Sequence, residues 1–503
     1  MFDYKIGNLM TLDPTRIPVI IGTGQINDRD CVDDSLALMI GALENADSDA
    51  GGAWIAALDS LAVVNQISFP GLGNIAESLA AHFGISPAYI EQTPWPTGES
   101  PVQLLNEAAN RIGAGEIQVA AIVGAEALRT AAQRAKAATG EKKDALRDVA
   151  NSGAQSLMAR HGLVAPTDLY PLYENATRAA WGQSFAEAQG ETGALWAGMS
   201  AVAAANETAW LRKALSPEEI TASNDDNRPI AYPYLKRMVA NSSVNQGAGF
   251  IVTSLARARA AGIAEDRIIY VGQGAAAHET HSILKRDRYD RSAGMIVTLQ
   301  QTLERNGLTS ADLDHVELYS CFPCIPKMAR RVLDWPLEKP ITAFGGLTFG
   351  GGPIGNYMSH AIGSMVDTLR QTQGRALLFA NGGYVTHNHA IVISASPIVA
   401  AQFPSPFDFN AEAEALRDVV PPIVEAYDGP ATIETFTLFY RRDGSIRFGT
   451  VIARTPEGVR LLARVNASDG PSLDCLLNYE AEAVGTGGIV RSDSEGLLHW
   501  CLG

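Results

Sequence analysis

The residues of this chain that could do chemistry fall into a few groups. Cys321 and Cys324 stand in a CFPC run, His278 lies near His281 and His387 near His389, and Gly345 to Gly355 is glycine-rich. CFPC has neither a second cysteine pair nor a histidine pair at zinc-site spacing, so no metal is expected. The glycine run lacks both the lysine of a phosphate-binding loop and the Rossmann fingerprint, which argues against nucleotide hydrolysis and NAD binding. What is left is acid–base, thiol and hydrogen-bonding chemistry. Tyr319 can donate a hydrogen bond, the Cys321 thiol acts only where exposure and pKa allow it, and the histidines titrate near neutral pH. Each also has a plain structural reading: packing for Tyr319 and Cys321, an N-cap for Ser100, satisfaction of turn amides for Ser242, and a core or surface place for each histidine.

The elements that must position these groups alternate. Pro18 to Gly22, Ser60 to Val64 and Val119 to Gly124 read as strands, and strand signals return at Gly249 to Thr253 and Arg267 to Val271. Ser100-Pro101 can start a helix that shows Val102, Leu105, Ala109 and Ile112 on one face and ends near Gly113 or Gly115. From about Ala125 to Arg228 the chain turns to Ala-rich, charged helices interrupted by DLYPLYENATRAAW, which reads as a helical insertion. VIIGTGQ at Val19 to Gln25 is similar to IYVGQG at Ile269 to Gly274, and ALDSLAVVN at Ala57 to Asn65 to DLDHVELYS at Asp312 to Ser320. Their common order and offset predict two related α/β halves. After Pro404, Thr432 to Tyr440, Ser445 to Arg454 and Val459 to Val465 read as strands of a small β-meander or barrel, separate from the preceding core.

With 503 residues, 46% of them hydrophobic and 19% charged, the chain can bury more than one core, and disorder is not its dominant state. A net charge of −16 argues against a nucleic-acid footprint, while leaving room for a local basic pocket. No signal peptide or membrane span is evident, and the five scattered cysteines (Cys31, Cys321, Cys324, Cys475, Cys501) suit reduced thiols of the cytoplasm.

Three stretches between about residues 15 and 398 resemble thiolases, in particular the sterol-carrier-protein type. TGESPVQLLNEAANRIGAG resembles the nucleophile turn and its helix, and places Gly98 at the Cys and Ser100 at the Ser of Cys-x-Ser. VELYSCFP resembles the strand-end motif Asn-Glu-Ala-Phe or His-Asp-Cys-Phe, here Tyr319 to Phe322. FGGLTFGGGPIG resembles the turn with Gly-His-Pro, with Gly352 at the histidine. More weakly, ANSSVNQGAGFIV puts Ser242 at the pantetheine-contacting serine, and FANGGYVTHNHA puts Ala380 and Gly382 at Cys-x-Gly.

The resemblance implies a thiolase fold of two related α/β halves with a helical insertion, plus an OB-like β-barrel or meander. The expected spans are 15–124 for the first half, 125–248 for the insertion and CoA-binding loop, and 249–280 for returning strands of the first half. The second half is expected over 281–398 and the added β-rich domain over 405–503. Gly98, Gly352 and Ala380 remove three side chains that thiolysis needs, so an acyl-cysteine at position 98 is excluded. CoA or acyl-CoA binding is implied at Ser242, Gly98, Ser100, Gly352 and Gly382, with glycine amides facing an oxyanion or phosphate. The resemblance makes Cys321 the remaining acid/base, lets Tyr319 act as donor or acid/base, as in thiolase-like steroid aldolases that work with OB-fold partners, and points to His387 or His389 as a substitute for the absent histidine. Two functions stay open: an acyltransferase or carbon–carbon lyase of lipid-derived acyl-CoA, and a silent acyl-CoA-binding or scaffold protein. A homodimer, or a partner protein at the C-terminal domain, is compatible with either.

Overall fold

The computed structural model describes residues 13–139 and 156–503. The first twelve residues and 140–155, the latter within the expected helical insertion, lie outside the described residues.

Strand β1 (Pro18–Asn27), helix α1 (Ser35–Asp49), β2 (Ser60–Val64), β3 (Tyr89–Gln92), helix α2 (Ser100–Ala114) and β4 (Val119–Ala127) build most of the first half. The insertion follows, with helices α3 (Pro166–Ala180) and α4 (Phe185–Ala205) and short strands β5 (Pro229–Ala231) and β6 (Tyr234–Leu235). The half closes with β7 (Asn245–Ser254). The second half comprises β8 (Ile269–His278), helix α5 (Ala293–Arg305), β9 (His315–Leu318), helix α6 (Cys324–Val332), helix α7 (Tyr357–Thr372), β10 (Arg375–Gly382) and β11 (His387–Ser394).

The expected duplication is explicit in the strand order. Outward from the centre, the first half runs β1-β7-β4-β2-β3 and the second β8-β11-β10-β9. The first two pairings of each half are antiparallel and the next is parallel. The two sequence similarities fall on equivalent strands, β1 with β8 and β2 with β9. The second half thus opens at β8, inside the 249–280 span expected to close the first. The halves do not stay separate sheets: β1 and β8 pair at Val19–Tyr270 and Ile20–Ile269, giving nine strands in one sheet.

Alternation along the strands feeds two cores. In β2, Leu61 and Val63 join the core that holds α1, while Ala62 and Val64 join the core that holds α2. The apolar stripe predicted for α2 is fully buried on that inner side, where α2 meets α7, and Gly115 ends α2 with φ of 74°. Two helix N-termini thereby converge at one end of the sheet.

The C-terminal strands β12 (Gly429–Tyr440), β13 (Ile446–Arg454), β14 (Arg460–Asn466), β15 (Gly487–Ser492) and β16 (Leu498–Leu502) close in the order β12-β13-β14-β16-β15-β12. The parallel β14–β16 pair and helix α8 (Gly470–Leu476) between β14 and β15 give this five-stranded barrel its OB-like character. The barrel has its own core around Phe436, Val451 and Trp500, yet it is not separate from the rest: Phe439, Phe448, Ile452 and Leu462 join the main core. Its β12 lies on α3, where Asn175 Nδ2 donates to Phe436 O at 2.9 Å and Thr435 Oγ1 to Leu172 O at 2.5 Å.

Arg460 is the strongest polar link. Fully buried, it donates to Glu434 at 2.6 and 2.9 Å, to Leu284 O at 2.7 Å, and to the carbonyls of Arg286 and Asp287. Arg460→Ala leaves three carbonyls without their donor, while half-buried Glu434 keeps Arg454 at 2.7 and 2.8 Å, so a loss of about 2–4 kcal/mol is expected. Limited proteolysis should then release the barrel earlier than in the parent protein; unchanged release would show that apolar docking alone holds it.

Candidate functional site

Four segments meet at the N-terminus of α2. Gly98 and Glu99 precede the helix, Tyr319 follows β9, and Gly382 and His387 flank the turn between β10 and β11. The Tyr319 amide donates to Phe379 O at 3.1 Å, which fixes the start of its loop against β10. A Cβ added at Gly98 would overlap both the Asn381 carbonyl oxygen and the Tyr319 hydroxyl, and would stand 2.6 Å from Tyr319 Cζ. The tyrosine therefore occupies the space that a side chain at position 98 would need. Gly382 is required by the same crowding, since a Cβ there would overlap Glu99 Oε2.

Tyr319 is 6% exposed and packs edge-on against Tyr357 with ring centroids 5.6 Å apart. Burial, then the neighbouring Cys321 and Glu99, hold its phenol well above the usual tyrosine range, so it is a donor at neutral pH. Cys321 is also buried, and burial pushes its thiol up to about 12. The thiolate that the acid/base role would use is scarce at neutral pH, and packing is the reading its surroundings favour. Tyr170 of α3 stacks on Phe322 at 4.3 Å and donates to Gly383 O at 2.9 Å, while Tyr173 donates to Tyr384 O at 2.9 Å. Helix α3 therefore bridges the barrel and the site, a link that DLYPLYENATRAAW did not reveal as sequence.

The glycine-rich turn does not present the Gly352 amide to a ligand: it donates to Asn241 O at 2.9 Å. The same bond sets half-buried Ser242 beside the turn. Trp210 and Leu211 amides donate to Gly350 O and Phe349 O at 2.9 and 2.7 Å, which brings exposed Arg212 and Lys213 to the same place. They form a local basic pair on an acidic chain, with Lys213 Nζ 3.9 Å from Glu219 Oε1. Ser100 is not the N-cap. It is the first helical residue, its Oγ accepts from the Thr97 amide at 3.2 Å, and Glu99 holds the cap position without a side-chain cap bond.

The histidines separate. His387 Nδ1 lies 3.7 Å from Glu99 Oε1 and 3.2 Å from His278 Nδ1, with the His281 ring 5.1 Å from that of His387. His389 lies outside this group, buried with Nε2 3.1 Å from Asn106 Nδ2 and its ring near Phe407; burial lowers its pKa to about 3, so it stays neutral. Glu99 went unnoticed in the sequence because it is the variable middle residue of the Cys-x-Ser match. It is 4% exposed, burial raises its pKa, and its Oε2 has no hydrogen-bond partner among the described residues.

Two clefts are described, neither of them lined by Gly98, Tyr319 or Gly352. One of about 420 Å³ lies between α3 and the barrel, and one of about 570 Å³ between the end of α2 and Pro404 to Asp408. No group of His, Cys, Asp and Glu among the described residues forms a metal site.

A duplicated β1-β7-β4-β2-β3 sheet, paired central helices and an appended barrel define a thiolase-like fold with an additional C-terminal domain. Residues 412–495 match the family model of the thiolase-like protein type 1 additional C-terminal domain. Over nearly its whole length the chain is similar to a monomeric SCP2-thiolase like protein type 1 from Mycobacterium smegmatis. The two are 29% identical with a TM-score of 0.82, over 98% of this chain and 100% of that one. An Ltp2-ChsH2(DUF35) aldolase (17% identical, TM-score 0.58, 76% of this chain and 98% of that) shares the fold. So does human mitochondrial 3-ketoacyl-CoA thiolase in complex with CoA (15%, 0.58, 76% and 99%). No curated protein matches this chain.

Proposed function

We propose that the chain binds a CoA thioester with its phosphates near Arg212 and Lys213, its pantetheine arm past Ser242 and the glycine turn, and its thioester toward Gly98 and Tyr319. There it cleaves a carbon–carbon bond of a lipid-derived β-hydroxyacyl-CoA without forming an acyl-enzyme. The observation that carries this reading is the Tyr319 hydroxyl standing in the space of a nucleophile at position 98. In such a cleavage a base takes the β-hydroxyl proton and the Cα–Cβ bond breaks. Its electron pair passes into the thioester as an enolate, and Cα then takes a proton. A protonated phenol suits hydrogen bonding to the enolate oxygen, and no step needs a thiolate. All five thiols are free, which fits a reducing compartment such as the cytoplasm, and no helix among the described residues is long and apolar enough to cross a membrane.

A second reading is a silent acyl-CoA-binding protein. Its support is the burial of Tyr319, 6% exposed. Calorimetry with CoA and several acyl-CoA esters tests the part that both readings share. Micromolar binding, about −8 kcal/mol, is expected, weakened about tenfold or more by Arg212→Glu with Lys213→Glu. No binding across the panel would remove CoA from the function.

A further inference from the structure

Glu99 is a buried carboxyl whose Oε2, directed at Gly382 beside Gly98, has no partner among the described residues. Such a group is costly to keep unless it has a task or a proton. Its other oxygen faces His387 Nδ1 at 3.7 Å, and His387 Nδ1 faces His278 Nδ1 at 3.2 Å. Two Nδ1 atoms at that separation share one proton, since one must donate and the other accept. His387 and His278 are half-buried and His281, whose ring is 5.1 Å from that of His387, is exposed, so the row runs from the interior to the surface.

We propose that Glu99, His387 and His278 form a proton relay joining the Gly98–Tyr319 contact to solvent beside His281. Once the 3.7 Å gap between Glu99 Oε1 and His387 Nδ1 closes to hydrogen-bond length, a proton accepted by Glu99 passes to His387 Nδ1, then across the 3.2 Å Nδ1–Nδ1 contact to His278, which releases a proton to water; reprotonation runs the same path in reverse, and no electrons move. Burial raises the carboxyl and lowers both imidazoles, bringing their proton affinities together, which is what easy transfer requires. The charged surroundings are few. Tyr319, His278 and the Thr97 side chain face Glu99; His281 faces His387; His387, Glu99, Asp408 and His281 face His278; and Glu279 is occupied by Arg286 and Arg417 at 3.2 and 3.1 Å.

The purpose of the relay rests on the lyase reading; its existence does not. The full-length protein with 15N-labelled histidine is titrated by NMR as parent, Glu99→Gln and His278→Asn. Removing the carboxylate should move the His387 midpoint to lower pH by about one pH unit, and removing His278 should change the His387 tautomer population. A His387 titration unchanged in both variants would overturn the relay. Should Glu99→Gln not fold, infrared titration of the Glu99 carboxylate in His387→Gln gives the reciprocal reading: a midpoint moved upward supports the relay, and an unmoved one overturns it. With β-hydroxyacyl-CoA, Glu99→Gln should lower turnover at least a hundredfold. Coupled titrations in a protein that cleaves no such thioester would reject the lyase reading and leave the relay standing.

Discussion

Gly98→Cys is expected to restore no acetoacetyl-CoA thiolysis and to destabilise the protein by about 1–3 kcal/mol. The new Cβ would be driven into the Asn381 carbonyl oxygen and the Tyr319 hydroxyl, and the backbone oxygen cannot rotate away. Gly98→Ala should cost a similar amount because the clash begins at Cβ. Gly98→Cys should cost less in a Tyr319→Ala background than in the parent, since one of the two obstacles is then gone. Thiolysis should stay absent even so: Gly352 and Ala380 leave the thiol without the groups that would activate it, and members of a catalytic unit are strongly non-additive. Urea melts and a thiolysis assay read both outcomes. A Gly98→Ala protein as stable as the parent would mean that Tyr319 does not fill this space.

Tyr319→Phe is expected to lower β-hydroxyacyl-CoA cleavage by about 10²–10⁴-fold while leaving CoA affinity within about threefold. The hydroxyl serves the developing enolate, whereas the cofactor is anchored elsewhere. Because burial holds this phenol above the usual tyrosine range, turnover should not fall as pH rises toward 10. On the acid side the working form of Glu99 is the carboxylate and its pKa is raised, so turnover should climb with pH through a midpoint above 4.5, the ordinary carboxylate value. His387 and His278 are pulled below 6.5 and are neutral, able to accept a proton, at pH 7. Loss of CoA binding together with turnover in Tyr319→Phe would reassign the residue to anchoring.

Much of the fold was legible because it is carried by local patterns. The α2 stripe follows from side-chain periodicity, the strands read at Ser60–Val64 and Val119–Gly124 from short apolar runs, the second continuing to Ala127, and the repeat offset located equivalent strands before any pairing was known. Strands β15 and β16 were missed: they are short, and β15 opens on Gly487-Gly488, which reads as turn. The docking of the barrel was invisible because it rests on Arg460, whose carbonyl partners lie more than 170 residues away. At the site, motif matching directed Gly98, Tyr319 and Gly352 to one point, whereas the structure sets Gly98 against Tyr319 with Gly382 beside them. It could not tell that the Gly352 amide is spent on Asn241 or that His387 and His389 face different company. Nor could it give weight to Glu99, since burial and an unpaired oxygen exist only once four distant segments have met.

The most direct test is mass spectrometry of the intact protein and its products after incubation with a panel of acyl-CoA and β-hydroxyacyl-CoA esters, in parent and Tyr319→Phe. The expected result is a parent protein of unchanged mass that splits a β-hydroxyacyl-CoA into a carbonyl compound and a shorter acyl-CoA, with products largely lost in Tyr319→Phe. A covalent acyl adduct on the parent protein, or cleavage that Tyr319→Phe leaves untouched, would contradict a site in which tyrosine has taken the nucleophile's place.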